Sequence, residues 1–236
     1  MGISAAFDRI ARWIGRIILG FLLWFLFIQT FVRLVRRYLH FPVPPIVAVF
    51  LNSPLRKAMQ PPVEVVERSG IEPGMNVLEL GCGPGTFTVD AARRIGDTGR
   101  LLAVDIEPKM IEKANQAIWY AGLNNVDIRM ADAYNLPAPD ESIDVAFMVT
   151  VLAEVPDRQK ALAEVRRVLK PDGTLSITEL FTDPDYPRQQ TVVRWCRDAG
   201  FRLTGGHGNF FNYTLNFQKD TGDWSQSSDS SIQLPD

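Results

Sequence analysis

Short apolar runs and helix-spaced apolar stripes take turns along most of this chain. Val77–Leu80, Leu101–Asp105, Val126–Met130 and Ile143–Val149 read as strands, too short for helices and bounded by turn residues. Thr86–Ile95 and Pro108–Ala121 read as helices between them. In the second, Met110, Ile111, Ala114, Ala117, Ile118 and Ala121 fall on one face, and Gly122 stops it. Asp157 caps a further helix whose Ala161, Leu162, Val165, Val168 and Leu169 turn inward, and Lys170-Pro171-Asp172-Gly173 reads as a turn into the strand Thr174–Glu179. A helix around Val192–Ala199 ends at Gly200. Two last strands, Phe201–Thr204 and Asn212–Phe217, are separated by Gly205-Gly206-His207-Gly208. Upstream, Pro54–Gly70 reads as a helix broken at Pro61-Pro62. Strands alternating with helices at this interval predict an α/β fold, a doubly wound, mostly parallel sheet covered on both faces.

The pattern changes at both ends. Ile17–Ile28 is apolar all the way round a helix, and Trp13, Ile14, Phe31 and Val32 extend it. A surface helix needs a polar face, so this one is expected to span or insert deeply into a bilayer, with Arg16 and Arg33 snorkelling at its ends. The competing reading, a cleaved signal peptide, lacks a small-residue cleavage site after the apolar run. Phe41–Leu51 is too short and too proline-rich to span. It either lies along the membrane interface or packs on the domain that follows. Asp220–Asp236 is rich in serine and acids and is expected to be a disordered tail. The expected organisation is an anchor over 1–40, an apolar linker or interfacial segment over 41–60, a folded domain over 61–219 and a tail over 220–236.

With 236 residues, 46% of them apolar, the chain supports one good core plus accessory segments. A net charge of −2 gives no basic field for nucleic acid. Cys82 and Cys196 have no metal-ligand spacing and suggest no disulfide, so no metal is assigned. Oligomeric state is not legible in the composition.

Chemistry concentrates in Val77-Leu78-Glu79-Leu80-Gly81-Cys82-Gly83-Pro84-Gly85-Thr86, where a strand closes on an acid and runs through three alternate glycines toward a helix. Such glycines let the backbone turn sharply and admit a ligand close to it. A dinucleotide fingerprint would need glycine where Thr86 stands. Asp105 ends the next strand about 20 residues on, where a carboxylate can accept from both ribose hydroxyls of an adenosyl ligand.

Glu79-Leu80-Gly81-Cys82-Gly83-Pro84-Gly85 resembles the first motif of the class I S-adenosylmethionine-dependent methyltransferases, in the broad group that includes the quinone-biosynthesis methyltransferases. The resemblance covers about Pro61 to Lys219. It implies a Rossmann-like, seven-stranded sheet with a reversed edge strand from the final pair, and S-adenosylmethionine as cofactor. It further implies that Gly81, Gly83 and Gly85 line the cofactor and that Glu79 holds its ammonium. Asp105 would take the ribose, Ile106 would lie against the adenine, and Asp132 with Ala133 would meet the adenine amino group. Met148 and Val149 would offer backbone carbonyls to the ammonium.

Methyl transfer asks the protein mainly to align and desolvate, with a base only for a protonated acceptor. Glu154, Tyr134 and Tyr213 are the candidate catalytic residues, with Glu179 and His207 behind them. Ala153-Glu154 stands where related quinone enzymes tend to carry histidines, which leaves the acceptor open. The expected function is a single-pass membrane methyltransferase, facing the cytoplasm, acting on a lipid-like or quinone-type acceptor. The alternatives are a soluble small-molecule acceptor, or a membrane protein that binds S-adenosylmethionine without catalysis.

Overall fold

The computed structural model describes residues 54–183 and 185–220, with Leu234 and scattered positions between Trp13 and Phe27. The chain divides into two compact units, Met1–Pro42 and Val43–Asp236. In the first, the described positions are helical, and Trp13, Ile17, Leu23 and Phe27 are all exposed. Among the described residues no helix is long and apolar enough to cross a membrane. Most of the expected anchor, the linker up to residue 53 and nearly all of the expected tail lie outside the described residues.

The second unit follows the alternating pattern. Two short helices, α1 (Pro54–Met59) and α2 (Pro62–Arg68), flank the predicted break at Pro61. Then come β1 (Asn76–Leu80), α3 (Thr88–Ile95), β2 (Arg100–Asp105), α4 (Pro108–Ala121) and β3 (Val126–Met130). The second half is β4 (Ile143–Val149), α5 (Arg158–Val168), β5 (Leu169–Leu180), α6 (Gln189–Asp198), β6 (Phe201–Gly208) and β7 (Asn212–Lys219). The seven strands form one sheet in the order β3-β2-β1-β4-β5-β7-β6. β1 pairs in parallel with both β2 and β4, so the direction of winding reverses between β1 and β4. In open α/β sheets that reversal, at the carboxyl ends of the strands, is where ligands bind.

Alternation along β4 shows how both faces are filled. Val145, Phe147 and Val149 pack with Val65 of α2 and with Phe87, Ala91 and Ile95 around α3. Ala146 and Met148 turn the other way, onto Leu162 and Val165 of α5 and Val192 of α6. Caps set the helix limits. The Asp157 carboxylate accepts from Lys160 N at 3.1 Å at the start of α5. Gly122 ends α4 in the left-handed region, at φ 68°.

Four expectations need correction. α3 starts at Thr88, not Thr86, because the positive φ of Gly85 (82°) holds the chain in the turn longer. Lys170–Gly173 is not a free turn: β5 begins at Leu169, and these residues bulge from its pairing with β4 between Ile143 and Val145. Gly205–Gly208 belongs to β6, since pairing with Asn216, Leu215, Thr214 and Tyr213 of β7 outweighs the weak strand propensity of glycine. The reversed strand is β7, antiparallel to β5 on one side and β6 on the other, so it lies one place in from the edge.

Candidate functional site

The first half of the site is the turn after β1. Gly81, Gly83 and Gly85 have φ of 74°, 53° and 82°, conformations a side chain would strain. A Cβ on Gly81 would meet Val151 Cγ2 at 2.5 Å, whereas one on Gly83 would project into open space. The turn is fastened from the next strand. Asp105 Oδ2 accepts from Gly83 N at 2.8 Å, and its Oδ1 accepts from Glu107 N at 2.9 Å. A carboxylate has about four acceptor positions, so this one can still take two hydroxyl donors. Ile106, next to it, is 67% exposed, an apolar surface held beside the turn. Ala131 N donates to Asp105 O at 3.0 Å and brings the end of β3 alongside; there Asp132 is exposed, its Oδ1 accepting from Tyr134 N at 3.0 Å, and Ala133 is half-buried.

Glu79 is the unusual group. It is 2% exposed, and its Oε2 has no hydrogen-bond partner. Burial pushes its carboxyl up to about 8, with the nearby Asp105 charge adding to the effect. The Thr88 hydroxyl pulls the other way without closing a hydrogen bond of ordinary length. A buried, unpartnered carboxyl beside open space at Gly83 is what a ligand with a cationic group requires. The structure fits S-adenosylmethionine in this respect.

The second half lies at the ends of β4 and β5. Val149 is buried at the end of β4, and Thr150 after it has a positive φ of 55°. Its amide donates to Thr178 O at 2.8 Å, and its hydroxyl accepts from Arg56 of α1 at 2.9 Å. Arg56 is 5% exposed. Desolvation lowers its pKa, offset by the charges of Asp183, Glu179 and Glu154. Glu179 is 1% exposed, and burial raises its carboxyl well above the usual range, with Asp183, Glu154 and Asp185 pushing it further the same way. Beyond it, Phe181, Tyr186, Phe210 and Phe211 form an aromatic cluster with centroids 5.4–5.8 Å apart, edge-to-face except for the tilted Phe181–Phe210 pair. A cavity of about 470 Å³ opens among Met59, Pro61, Leu180, Phe181, Phe211 and Asn212. Another, of about 340 Å³, lies at the amino ends of β1 and β2 and touches none of the candidate residues.

The sequence candidates for catalysis separate here. Glu154 is exposed in the loop after β4, within the acidic group. The Tyr134 hydroxyl accepts from Asp157 N at 3.0 Å and its ring faces Lys160 Nζ at 4.9 Å, which ties it to the start of α5. Tyr213 is fully buried, and its hydroxyl donates to Pro187 O at 2.7 Å. That geometry makes Tyr213 a brace between β7 and the approach to α6. His207 is exposed on β6, opposite Thr214. Sequence reasoning did not single out Arg56, Thr150, Asp183 or Asp185. Only the acid pair directly after a strand carried a local signal.

A family model described as a methyltransferase domain matches residues 71–217, and the chain belongs to that family. The domain is that of the S-adenosylmethionine-dependent methyltransferases. Among curated relatives, the ubiquinone/menaquinone biosynthesis C-methyltransferase UbiE of Shewanella halifaxensis is 37% identical over 128 residues, 54% of this chain and 51% of that one. The arsenite methyltransferase of Halobacterium salinarum is 32% identical over 119 residues, 50% of this chain and 30% of that one. The chain thus spans about half or less of these relatives. A crystal structure of a SAM-dependent methyltransferase from Aquifex aeolicus superposes with a TM-score of 0.71 at 24% identity, covering 75% of this chain and 100% of that one. The [4+2]-cyclase SpnF shares the fold at a TM-score of 0.59 and 21% identity, covering 70% of this chain and 82% of that one. Fold alone therefore does not fix the reaction.

Proposed function

We propose that this chain carries methyl groups from S-adenosylmethionine to a lipid-like or quinone-type acceptor at the cytoplasmic face of a membrane, held there by one helix within residues 1–40. The cofactor supplies a methyl group already activated on its sulfonium. The chain's part is to hold, orient and dry the reacting pair. Glu79 and the carbonyls of Met148 and Val149 hold the ammonium, and Asp105 takes the ribose hydroxyls. Ile106, Asp132 and Ala133 surround the adenine, while Gly81, Gly83 and Gly85 let the backbone approach. Glu154 and Tyr134 remain the groups offered to the acceptor.

One observation carries the acceptor class. α1, which directly follows the apolar stretch Phe41–Leu51, closes over the ends of β4 and β5 through the bond from Arg56 to Thr150. The acceptor side of the site is therefore built by the chain that leads out of the apolar N-terminal region. The exposed Trp13, Ile17, Leu23 and Phe27, the sequence Ile17–Ile28 and the similarity to a quinone C-methyltransferase support the same reading. The similarity to an arsenite methyltransferase favours a small soluble acceptor instead. Both cysteines are buried, however, so neither offers a thiolate to a soft acceptor.

The test is deletion of Met1–His40 with Phe41–Leu51 retained. The truncated protein is expected to bind S-adenosylmethionine normally but to methylate acceptor in vesicles poorly, because tethering raises effective concentration without adding a contact. Equal turnover on vesicles at low enzyme concentration, or release of the full chain from membranes by carbonate, overturns the anchored reading.

A further inference from the structure

Hairpin tips in water carry small polar residues, and the tip between β6 and β7 does not. It reads Asn209-Phe210-Phe211-Asn212, with the two rings 43% and 60% exposed. The backbone beneath them is fixed. Asn209 Oδ1 accepts from Phe211 N at 2.9 Å and from Asn212 N at 3.1 Å, and Asn209 N donates to Asn212 O at 2.9 Å. Phe181 N, in the loop after β5, donates to Phe211 O at 2.7 Å, and the Tyr186 hydroxyl donates to Phe210 O. Gly208 enters the tip at φ 95°, where a Cβ would collide with Asn212 O. The Phe181 ring, 37% exposed, stands 5.5–5.6 Å from both of the others. An apolar side chain exposed singly is ordinary, but three contiguous rings held out on a braced turn mark a surface that meets something apolar.

The path of the chain says what that is. Asn212 Nδ2 donates to Met59 O at 3.0 Å, and the buried Gln60 donates to Asn212 Oδ1 at 3.4 Å, so the tip is bonded to the end of α1. α1 begins at Pro54, three residues after the apolar run Phe41–Leu51 ends. Three residues reach at most about 11 Å and a helix of this length about 9 Å, so any apolar phase that takes up that run is held close to the tip. A bilayer needs no matching partner surface, and aromatic rings settle at its boundary with water. A second copy of the chain suits the patch less well: the exposed share of the three rings is roughly 200–350 Å², against about 800 Å² per partner in a stable dimer. Glu154, Asp183 and Asp185 gather where β4 and β5 end, on the same side of the sheet, which favours neutral over anionic lipid.

We propose that Phe181, Phe210 and Phe211 form a second contact with the membrane, a wedge that enters the headgroup region of a neutral bilayer and turns the carboxyl ends of the sheet toward it. That a membrane is present rests on the functional reading above; the wedge adds how the domain lies on it. One tether fixes distance but not tilt, and a second contact fixes both. The cavity of about 470 Å³ that Met59, Leu180, Phe181 and Phe211 line then opens at the lipid surface. An acceptor held in the bilayer would reach the ends of β4 and β5 without crossing water.

The experiment places a fluorescent nitrobenzoxadiazole label at Phe211→Cys in the full chain, in phosphatidylcholine vesicles. Cys82 and Cys196 are both buried, so the new thiol takes the label alone. Trp119→Cys is the control: Trp119 is 75% exposed on α4, which packs by β3 at the opposite edge of the sheet. The label at 211 should shift to the blue and be quenched at least twofold by nitroxides carried high on the acyl chains, at about 1 M NaCl as at about 0.1 M, because apolar burial is not screened. The label at 119 should do neither. Adding Phe181→Ser and Phe210→Ser should at least halve the quenching at 211, while calorimetric binding of S-adenosylmethionine stays unchanged and shows that the chain is folded. If the chain floats with vesicles after a carbonate wash but the label at 211 behaves like that at 119, the wedge is overturned and the anchor stands. A label at 211 that enters lipid on a chain that carbonate releases keeps the wedge and overturns the anchor. A blue shift that grows with protein concentration in the absence of lipid assigns the patch to a second copy and overturns the wedge.

Discussion

As the proposed partner of the cofactor's ammonium, Glu79 should make cofactor binding a proton-linked event. Burial sets its carboxyl at about 8 in the ligand-free chain. At pH 6.5 a group titrating there is about 97% protonated. The cofactor's ammonium, brought against it, favours the carboxylate and should draw the pKa back toward the ordinary range. Binding at pH 6.5 should therefore release close to one proton, and affinity should rise about tenfold per pH unit from 5.5 to 7. Calorimetry in two buffers of different ionisation enthalpy counts the proton directly. Glu79→Gln should release none, show a flat pH dependence and bind roughly 10- to 100-fold more weakly at pH 7.5, the scale of losing one charge-assisted contact. Stability supplies a cross-check with a definite sign. The folded pKa is raised, so the stability is fully present below about 4.5, the unfolded value, and is lost up to about 8, at about 1.4 kcal/mol per unit. The ligand-free Gln variant should melt above the wild type at pH 8 and close to it at pH 4.5. Proton release indistinguishable from that of Glu79→Gln would refute the placement of the ammonium.

Asp105→Ala should weaken S-adenosylmethionine binding by roughly 1.5–3 kcal/mol, because it removes both the ribose acceptor and the bond that fastens Gly83; Asp105→Asn, which keeps one acceptor oxygen, should lose less by calorimetry. Gly81→Ala should cost about 2–4 kcal/mol in chemical denaturation, combining a left-handed φ with a clash on Val151, and Val151→Ala should restore the steric part. A Cβ at Gly83 meets no atom within 4 Å, but its φ of 53° strains a branched side chain, so Gly83→Val should cost about 1–2 kcal/mol of stability while abolishing cofactor binding, and Gly83→Ala should cost less on both counts. Arg167→Ala should lower stability by about 1–3 kcal/mol in the same assay, since this side chain joins Glu164 to the carbonyls of Leu136 and Ala138; lysine, which lacks the fork, should not rescue it.

What the sequence disclosed follows from how local each signal is. Val126–Met130 and Ile143–Val149 are the observed strands to the residue, because turn residues bracket an alternating run in the first and a continuous apolar run in the second. Lys170–Gly173 misled because proline, aspartate and glycine favour a turn, while Lys170 Nζ is held to Asp144 of β4 at 2.5 Å and the segment stays in register around a bulge. Gly205–Gly208 misled for the opposite reason: its strand character comes from its partner β7, not from its own residues. The glycine turn and the strand-end acid that fastens it were legible because β1, its turn and the end of β2 lie within about thirty residues and repeat a known arrangement. The cluster at the ends of β4 and β5 was not. Arg56 and Thr150 are 94 residues apart, and nothing in a lone threonine announces a positive φ.

The two halves share one short segment, and this says what Thr150 is for. A non-glycine residue in the left-handed region costs on the order of 1–3 kcal/mol and persists only where its surroundings hold it. Two bonds do so here, from Thr150 N to Thr178 O and from Arg56 to its hydroxyl. The turn they fix sends the next residue, Val151, against Gly81, the first glycine of the cofactor turn. α1 is thereby joined to the cofactor turn in two steps, through Thr150 and through Val151. Glycine at 81 serves this contact as much as any ligand, since a Cβ there would drive Val151 away and with it the end of β4. The same turn releases the chain toward Glu154, so one strained residue sets Val151 against the glycine turn on one side and presents Glu154 on the other. A site whose two ligands must meet in line gains from having both walls fixed by one joint, because an error at Thr150 moves them together rather than apart.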